Sequence, residues 1–316
     1  MTNNTIAVLM SSYNGEKYIS TQIDSILAQE GVNVELYIRD DGSSDRTVEI
    51  INQYVSKDKR VHFVPGEPLG VGRSFMTLLM MDIQADYYSF SDQDDFWYPN
   101  KLKAAVEKLE SNGNKFTLYC CNQNCVDADG RYMYTRFSND YVVPSFISQV
   151  IKNDFAGCTM VFSSDFRDEI IEKCPPLEFF VHRLHDSWLS CVAHVYGGIL
   201  FDYTSYMDFR RNIGNFSDDV ITQSLHRSRC NVFFKKVQRI KKRGFRQKQA
   251  VPQSALLLME KFNDRLSEQD LAVLSKIGNY TNNVIAKIKL MTCSRFIQSI
   301  RTDRIYCYIR ILFNLF

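Results

Sequence analysis

The stretch Tyr87-Tyr88-Ser89-Phe90-Ser91-Asp92-Gln93-Asp94-Asp95-Phe96-Trp97 decides how this chain is read. An apolar run ends in three carboxylates within four residues. That pattern is a buried strand delivering several negative charges to one short loop. Such charges repel each other unless a cation lies between them. Oxygen ligands at this spacing suit Mg²⁺ or Mn²⁺, ions that accompany phosphates. Phe96, Trp97 and Tyr98 follow directly. Three aromatics on a solvated loop would be costly, so they are expected to pack the loop into place.

On either side of this stretch the first hundred residues alternate in type. Ile6–Met10, Val34–Ile38, Val61–Val64 and Asp86–Ser91 read as strands. Helical spacing of apolar residues marks 16–29, 45–54, 71–83 and 99–109, the last with Pro99 near its first turn. Strands alternating with helices predict a doubly wound α/β sheet. Ligands of such sheets sit at the carboxyl ends of the strands, near a topological switch point. The polar clusters at 11–15, 40–45 and 91–95 all follow strands and should converge on one edge. From about residue 116 the pattern changes. Residues 116–121 and 131–135 flank the turn Asp127-Ala128-Asp129-Gly130, a hairpin signal. Strands are expected at 157–162, 199–202 and 206–210, and a helix at 186–196. After about residue 217 the chain reads as mostly helical.

Three polar stations carry the chemistry. Ser11-Ser12-Tyr13-Asn14-Gly15 and Asp40-Asp41-Gly42-Ser43 form the first. Short polar residues after a strand leave main-chain N–H groups open to a ligand, and a carboxylate beside them accepts from a base or ribose. The acidic loop is the second, and His185-Asp186-Ser187-Trp188, opening a helix, is the third. Taken singly, each also fits a plain turn, a solvated loop or a helix cap.

Composition is that of an ordinary globular protein. The chain has 316 residues, 45% of them hydrophobic and 23% charged. No run reaches the ~18 apolar residues of a spanning helix, and from the first residues no signal peptide or N-terminal anchor is expected. Nine cysteines lack the paired spacing of a zinc finger, so buried free thiols in a reducing cytoplasm are expected. Ten of the 38 Lys and Arg residues lie within 226–248, with no acid among them, leaving the rest of the chain net acidic.

Together the stations resemble the family 2 glycosyltransferases of GT-A fold, closest to their rhamnosyltransferase-like branch. The resemblance rests on residues 8–15, 38–47, 90–97, Gly157-Cys158-Thr159-Met160 and 185–188, and covers roughly residues 5–215. It implies an α/β fold: a GT-A, Rossmann-like nucleotide-binding sheet over residues 1–220, with a mainly helical, basic extension over 221–316. It implies transfer of a sugar from a nucleoside-diphosphate donor, dTDP-rhamnose or a UDP-hexose, to a bacterial surface polysaccharide or lipid-linked glycan. By the same resemblance Ser12, Tyr13 and Asn14 line the nucleotide pocket and Asp41 reads the base. Asp94 is the direct ligand of Mg²⁺ or Mn²⁺, while Asp92 and Asp95 serve the donor sugar and diphosphate. Asp186 is the general base, and one base opposite the leaving group implies single displacement with inversion. His185, Trp188, Gly157 and Cys158 stand on the acceptor side.

Two departures bear on this reading. The branch usually carries Tyr-Arg-Gln-His-Gly after the late strands, whereas this chain reads Phe209-Arg210-Arg211-Asn212-Ile213-Gly214. The missing His leaves Arg210 or Arg211 to hold the diphosphate. It also keeps open a catalytically inactive sugar-nucleotide or glycan-binding relative. The chain further lacks the Gln-x-x-Arg-Trp segment of processive synthases, so transfer of single sugars is expected. The basic segment interleaves cations with Phe233, Phe234, Val237 and Ile240. Such a helix suits an anionic membrane surface at the inner face of the plasma membrane, or packing on the catalytic body. No nucleic-acid motif accompanies it. The terminal run 305–316 is too short to span a bilayer; it would lie in the interface or dock in an apolar groove.

Overall fold

The computed structural model describes residues 4–211, 250–300 and 304–314. The chain divides into two compact units: Met1–Val143 with Asn153–Arg211, and Pro144–Lys152 with Asn212–Phe316. The basic segment at 226–248, the domain boundary near 220 and Asn212 lie outside the described residues.

The first unit begins as the alternation foretells. β1 (Thr5–Ser12), α1 (Ile19–Leu27), β2 (Asn33–Asp40), α2 (Thr47–Lys57), β3 (Val61–Pro65), α3 (Val71–Met80) and β4 (Tyr87–Ser91) follow in order. A two-residue strand β5 (Phe96–Trp97) leads to α4 (Lys101–Asn112), then β6 (Leu118–Val126) and β7 (Tyr132–Thr135) form the hairpin. The short helix α5 (Phe146–Ile151) belongs to the second unit. β8 (Met160–Ser163), α6 (Ser164–Glu172), α7 (His185–Tyr196) and β9 (Ile199–Arg210) complete the first.

The sheet runs β3-β2-β1-β4-β8-β6-β9-β5, with β7 beside β6. β3, β2, β1 and β4 are parallel, as expected for a doubly wound half. β8 then pairs antiparallel with both β4 and β6, so the sheet as a whole is mixed. The register sets Ser12 beside Asp40 and Met10 beside Ser91, which brings the three polar loops to one edge. The late strands expected as two are one, β9, paired parallel to β6 with irregularities between Cys121 and Asn124. The segment at 157–162 starts as a 3₁₀ turn, Gly157–Thr159, before β8.

β1 is buried through Ile6, Ala7, Val8, Leu9 and Met10, as a central parallel strand covered on both faces must be. Ile19, Ile23 and Ile26 of α1 and Leu102 and Val106 of α4 pack against it and β2. Each fully buried Ile or Leu there stabilises by ~1.5–3 kcal/mol relative to exposure. Of the aromatics after the acidic loop, Trp97 is buried and its main-chain N–H donates to Ser25 Oγ at 3.1 Å. Phe96, contrary to expectation, stays exposed. It points away from the core because neighbouring strand residues face opposite sides. All described cysteines are free thiols.

The second unit is helical where described: α5 with helices Ala250–Lys261, Glu268–Asn279, Val284–Met291, Ser294–Ser299 and Arg304–Leu312. Ser267 and Asn283 cap two of them, accepting from the N–H groups of Asp270 and Ala286. Its core includes Ala255, Leu258, Phe262, Leu274 and Tyr280. The last helix docks on Val284–Met291, with Tyr308 Oη donating to the Met291 carbonyl at 2.9 Å, while Leu312 and Phe313 stay exposed. Among the described residues no helix is long and apolar enough to cross a membrane.

Candidate functional site

The chain turns to β2 on one side of β1 and reaches β4 on the other, so their carboxyl ends border the switch-point crevice. Main chain and side chains knit the three loops together. Gln93 accepts the Tyr13 N–H through Oε1 and donates to the Tyr13 carbonyl through Nε2, both at 2.8 Å. Gly15 lies so close that a Cβ there would collide with the Gln93 amide. Asn14 takes a left-handed conformation, φ 48°, which Asn tolerates better than most residues. Its N–H donates to Ser43 Oγ at 2.8 Å and its Oδ1 accepts the Ser44 N–H at 2.9 Å. Ser12 is buried and donates to Asp40. Tyr13 is 56% exposed, its ring open to a ligand.

Asp41, expected to read a base, is buried and already well held. Arg39 Nη1 donates to its Oδ1 at 2.5 Å, the Leu69 N–H to Oδ1 at 2.8 Å and the Gly70 N–H to Oδ2 at 2.7 Å. A carboxylate offers about four acceptor positions, so one direction on Oδ2 is left for a ligand. Asp41 thus also clamps the loop that enters α3.

The acidic loop spans the gap from β4 to β5. Asp92 and Asp94 are half-buried, and Asp95 is buried. Burial pushes the Asp92 carboxyl up to about 7, with the charges of Asp94 and Asp186 adding to it. Burial, then Asp94 and Asp92, raise Asp95 as well. Asp95 Oδ1 accepts the Arg210 N–H at 3.1 Å, while its buried Oδ2 has no hydrogen-bond partner. The mutual repulsion of Asp92 and Asp94 is what a divalent cation would relieve, so these two carboxylates fit Mg²⁺ or Mn²⁺. Among the described residues, Asp92, Asp95 and Cys158 bring ligand atoms within 4.8 Å of one another. Asp94, the expected direct ligand, is not in that set.

Asp186 occupies the first turn of α7. Burial raises its carboxyl to about 6, opposed by the Ser187 N–H, the charges of Arg183 and Arg136, and Asn153. It lies close enough to Asp92 for its charge to act there. A carboxylate poised near 6 suits a general base at neutral pH. His185, beside it in sequence, turns the other way. Its ring lies 4.1 Å from Phe75 and 4.6 Å from Phe90 between centroids, with neither nitrogen hydrogen-bonded. Burial lowers it to about 3, so it is neutral. Gly157 leaves room for its Nε2.

Two further residues expected on the acceptor side are buried. Trp188 is buried against Phe179, because the inward face of α7 carries it into the core. Cys158 is buried beneath the acidic loop, because the 3₁₀ turn runs against β4, and its thiol is raised by burial and by Asp95 and Asp92. Arg210, expected on the diphosphate, donates to the carbonyls of Asp94 at 3.0 Å and Ala128 at 3.0 Å, and lies over the Tyr18 ring. It braces the acidic loop. The Arg211 N–H bonds the Val126 carbonyl.

Sequence reading missed Arg39, Gln93, Lys101, Arg136, Asn153 and Arg183. Lys101 opens α4, where the helix dipole disfavours a cation; that misplaced charge was a usable signal. Arg39 stood out as a cation at the end of an apolar strand. Arg136, Asn153 and Arg183 carry no local mark.

Over 125 residues the chain is 34% identical to the dTDP-rhamnosyl transferase RfbG of Shigella flexneri, covering 38% of this chain and 40% of that one. It aligns with half or less of the length of the curated relatives it matches. In structure it is similar to S. aureus TarS 1–349 in complex with UDP-GlcNAc, at TM-score 0.57 and 15% identity, covering 98% of this chain and 89% of that one. It is also similar to the mannosyltransferase PcManGT of Pyrobaculum calidifontis in complex with GDP-Man and Mn²⁺, at TM-score 0.53 and 14% identity, covering 98% and 87%. At such identities the likeness concerns the fold. The model of glycosyl transferase family 2 matches residues 7–171, more than half of the sequence, and the chain therefore belongs to that family and has the GT-A fold.

Proposed function

We propose that this chain is an inverting, non-processive glycosyltransferase. It takes a sugar from a nucleoside-diphosphate donor and passes it to a bacterial surface polysaccharide or lipid-linked glycan. The observation that carries the reading is Asp186, raised to about 6 and within electrostatic reach of Asp92 across the switch-point crevice. The relative named for dTDP-rhamnosyl transfer favours dTDP-rhamnose, and the UDP-GlcNAc complex of TarS keeps a UDP-hexose as the other donor to test.

In this reading Tyr13, Asn14 and Asp41 hold the nucleotide, and Asp92 and Asp94 face the diphosphate and sugar. Asp94 and Asp92 would hold Mg²⁺ or Mn²⁺, which when bound neutralises charge growing on the leaving diphosphate. The acceptor hydroxyl attacks the anomeric carbon, whose bond to the diphosphate oxygen breaks through an oxocarbenium-like state. Asp186 takes the hydroxyl proton. Arg136, Arg183 and Asn153 keep Asp186 ionised against its burial. The basic segment 226–248 supports work on the cytoplasmic face of a membrane bearing anionic lipids.

Incubation with a panel of dTDP-, UDP- and GDP-sugars, Mn²⁺ or Mg²⁺ and a glycan acceptor tests the reading. Turnover of one donor by the wild type, lost in Asp186→Asn, is the expected result. A protein that binds a donor yet never transfers or hydrolyses it would be a binding relative instead.

A further inference from the structure

Behind the acidic loop lies a group of side chains that shares only Asp92 with the sugar-transfer reading; Asp95, Cys158 and Lys101 have no part in that reading. Asp92, Asp95 and Cys158 bring two oxygens and a sulfur within 4.8 Å of one another. Asp95 and Cys158 are each 1% exposed. Asp95 Oδ2 has no hydrogen-bond partner. Lys101, fully buried, sits with Nζ 3.4 Å from the Trp97 ring centroid, without a hydrogen-bond partner, and its charge acts on Asp95 and Cys158.

We propose that Asp92, Asp95 and Cys158, with Lys101 as their countercharge, form a site for a borderline-soft divalent cation of the zinc class at the inner edge of the acidic loop. Donor chemistry is the first argument. A thiolate favours zinc or cobalt over magnesium, whereas the half-exposed Asp94 outside the set offers only the hard oxygens that Mg²⁺ and Mn²⁺ prefer. Charge is the second. Around a bound ion the two carboxylates and the thiolate would carry three negative charges, which a divalent ion and a protonated Lys101 would cancel. Geometry is the third. Ligand atoms of a tetrahedral zinc lie about 3.3–3.8 Å apart, so side-chain rotations close a set already within 4.8 Å. Binding is an exchange without redox change: Cys158 loses its thiol proton to solvent and Sγ takes the metal. Asp92, the most exposed of the three, provides the way in.

Cobalt(II) alone, added to the full chain without sugar nucleotide, is the probe. The wild type is expected to gain a near-ultraviolet thiolate-to-cobalt charge-transfer band that zinc abolishes. Cys158→Ser should lose the band and Cys125→Ser keep it, each variant checked for native circular dichroism. Asp95→Asn should keep the band with cobalt affinity at least about tenfold weaker, the scale expected for losing a ligand or its support. Absence of the band in the wild type, or its survival in Cys158→Ser, overturns the site. If Cys158→Ser does not fold, unchanged cobalt affinity in Asp95→Asn overturns it equally. The spectrum is read with no donor present, so it stands or falls apart from sugar transfer.

Discussion

Gln93 and Tyr13 are joined twice: the Gln93 amide accepts the Tyr13 N–H and donates to the Tyr13 carbonyl, both at 2.8 Å. These bonds fasten the acidic loop to the loop after β1 across the switch point. Each is worth about 0.5–1.5 kcal/mol. Gln93→Ala should therefore raise the donor KM about tenfold, since ~1.4 kcal/mol is a factor of ten, with kcat little changed. Steady-state kinetics on the responsive donor decides this. An unchanged KM would mean that the two loops hold their positions without the clamp.

Asp186→Asn should lower kcat by ~10²–10⁴, the range of a lost general base. Donor binding, followed by thermal shift, should persist. In the wild type, kcat should rise with pH through about 6 and then level, because the carboxylate must be ionised to accept the proton. A variant that retains this acidic limb would relieve Asp186 of the role.

His185 couples stability to pH. Its folded-state pKa is depressed to about 3 by burial from an ordinary 6.5. The unfolded chain thus binds a proton that the folded chain does not between those values. Stability from this residue is complete above about 6.5 and is lost as pH falls toward 3. His185→Leu should remove a slope of about 1.4 kcal/mol per pH unit in that window. Urea unfolding at pH 7 and pH 5 checks it, and equal losses in variant and wild type would refute the account.

Arg39 answers the buried charge of Asp41, with side-chain exposures of 4% and 10%. Arg39→Met leaves that carboxylate in place without its cation. Removing one member of a buried pair costs about 3–5 kcal/mol. Denaturant unfolding should show a loss of that order, together with weaker protection by nucleotide. A loss below about 1 kcal/mol, the scale of a surface pair, would mean that the Leu69 and Gly70 N–H groups suffice to hold Asp41.

Much of the architecture was legible in the sequence. Periodicity marked the strands of the parallel half and the helices between them, because a strand buried on both faces must be apolar throughout. The places of Ser12, Asn14, Asp41, Asp92 and Asp186 at strand ends or a helix start were legible too, because such positions have local signatures. Less legible was the antiparallel β8, a pairing decided by distant partners. The continuity of β9 was also hidden, because polar residues at 203–205 resemble a break.

Only the tertiary structure decided what each charge faces. Sequence placed three acids on one loop; packing buried Asp95, left Asp94 half-exposed and set Cys158 beneath them. It turned neighbouring His185 and Asp186 to different surroundings, one neutral between Phe75 and Phe90, the other raised to about 6 by burial against the pull of Arg183 and Arg136. Desolvation and Coulomb forces depend on distances through space, and residues far apart in sequence, such as Arg136 and Asn153, help set them. Local patterns fixed where the candidate residues stand along the chain, and long-range packing fixed their charge and their partners.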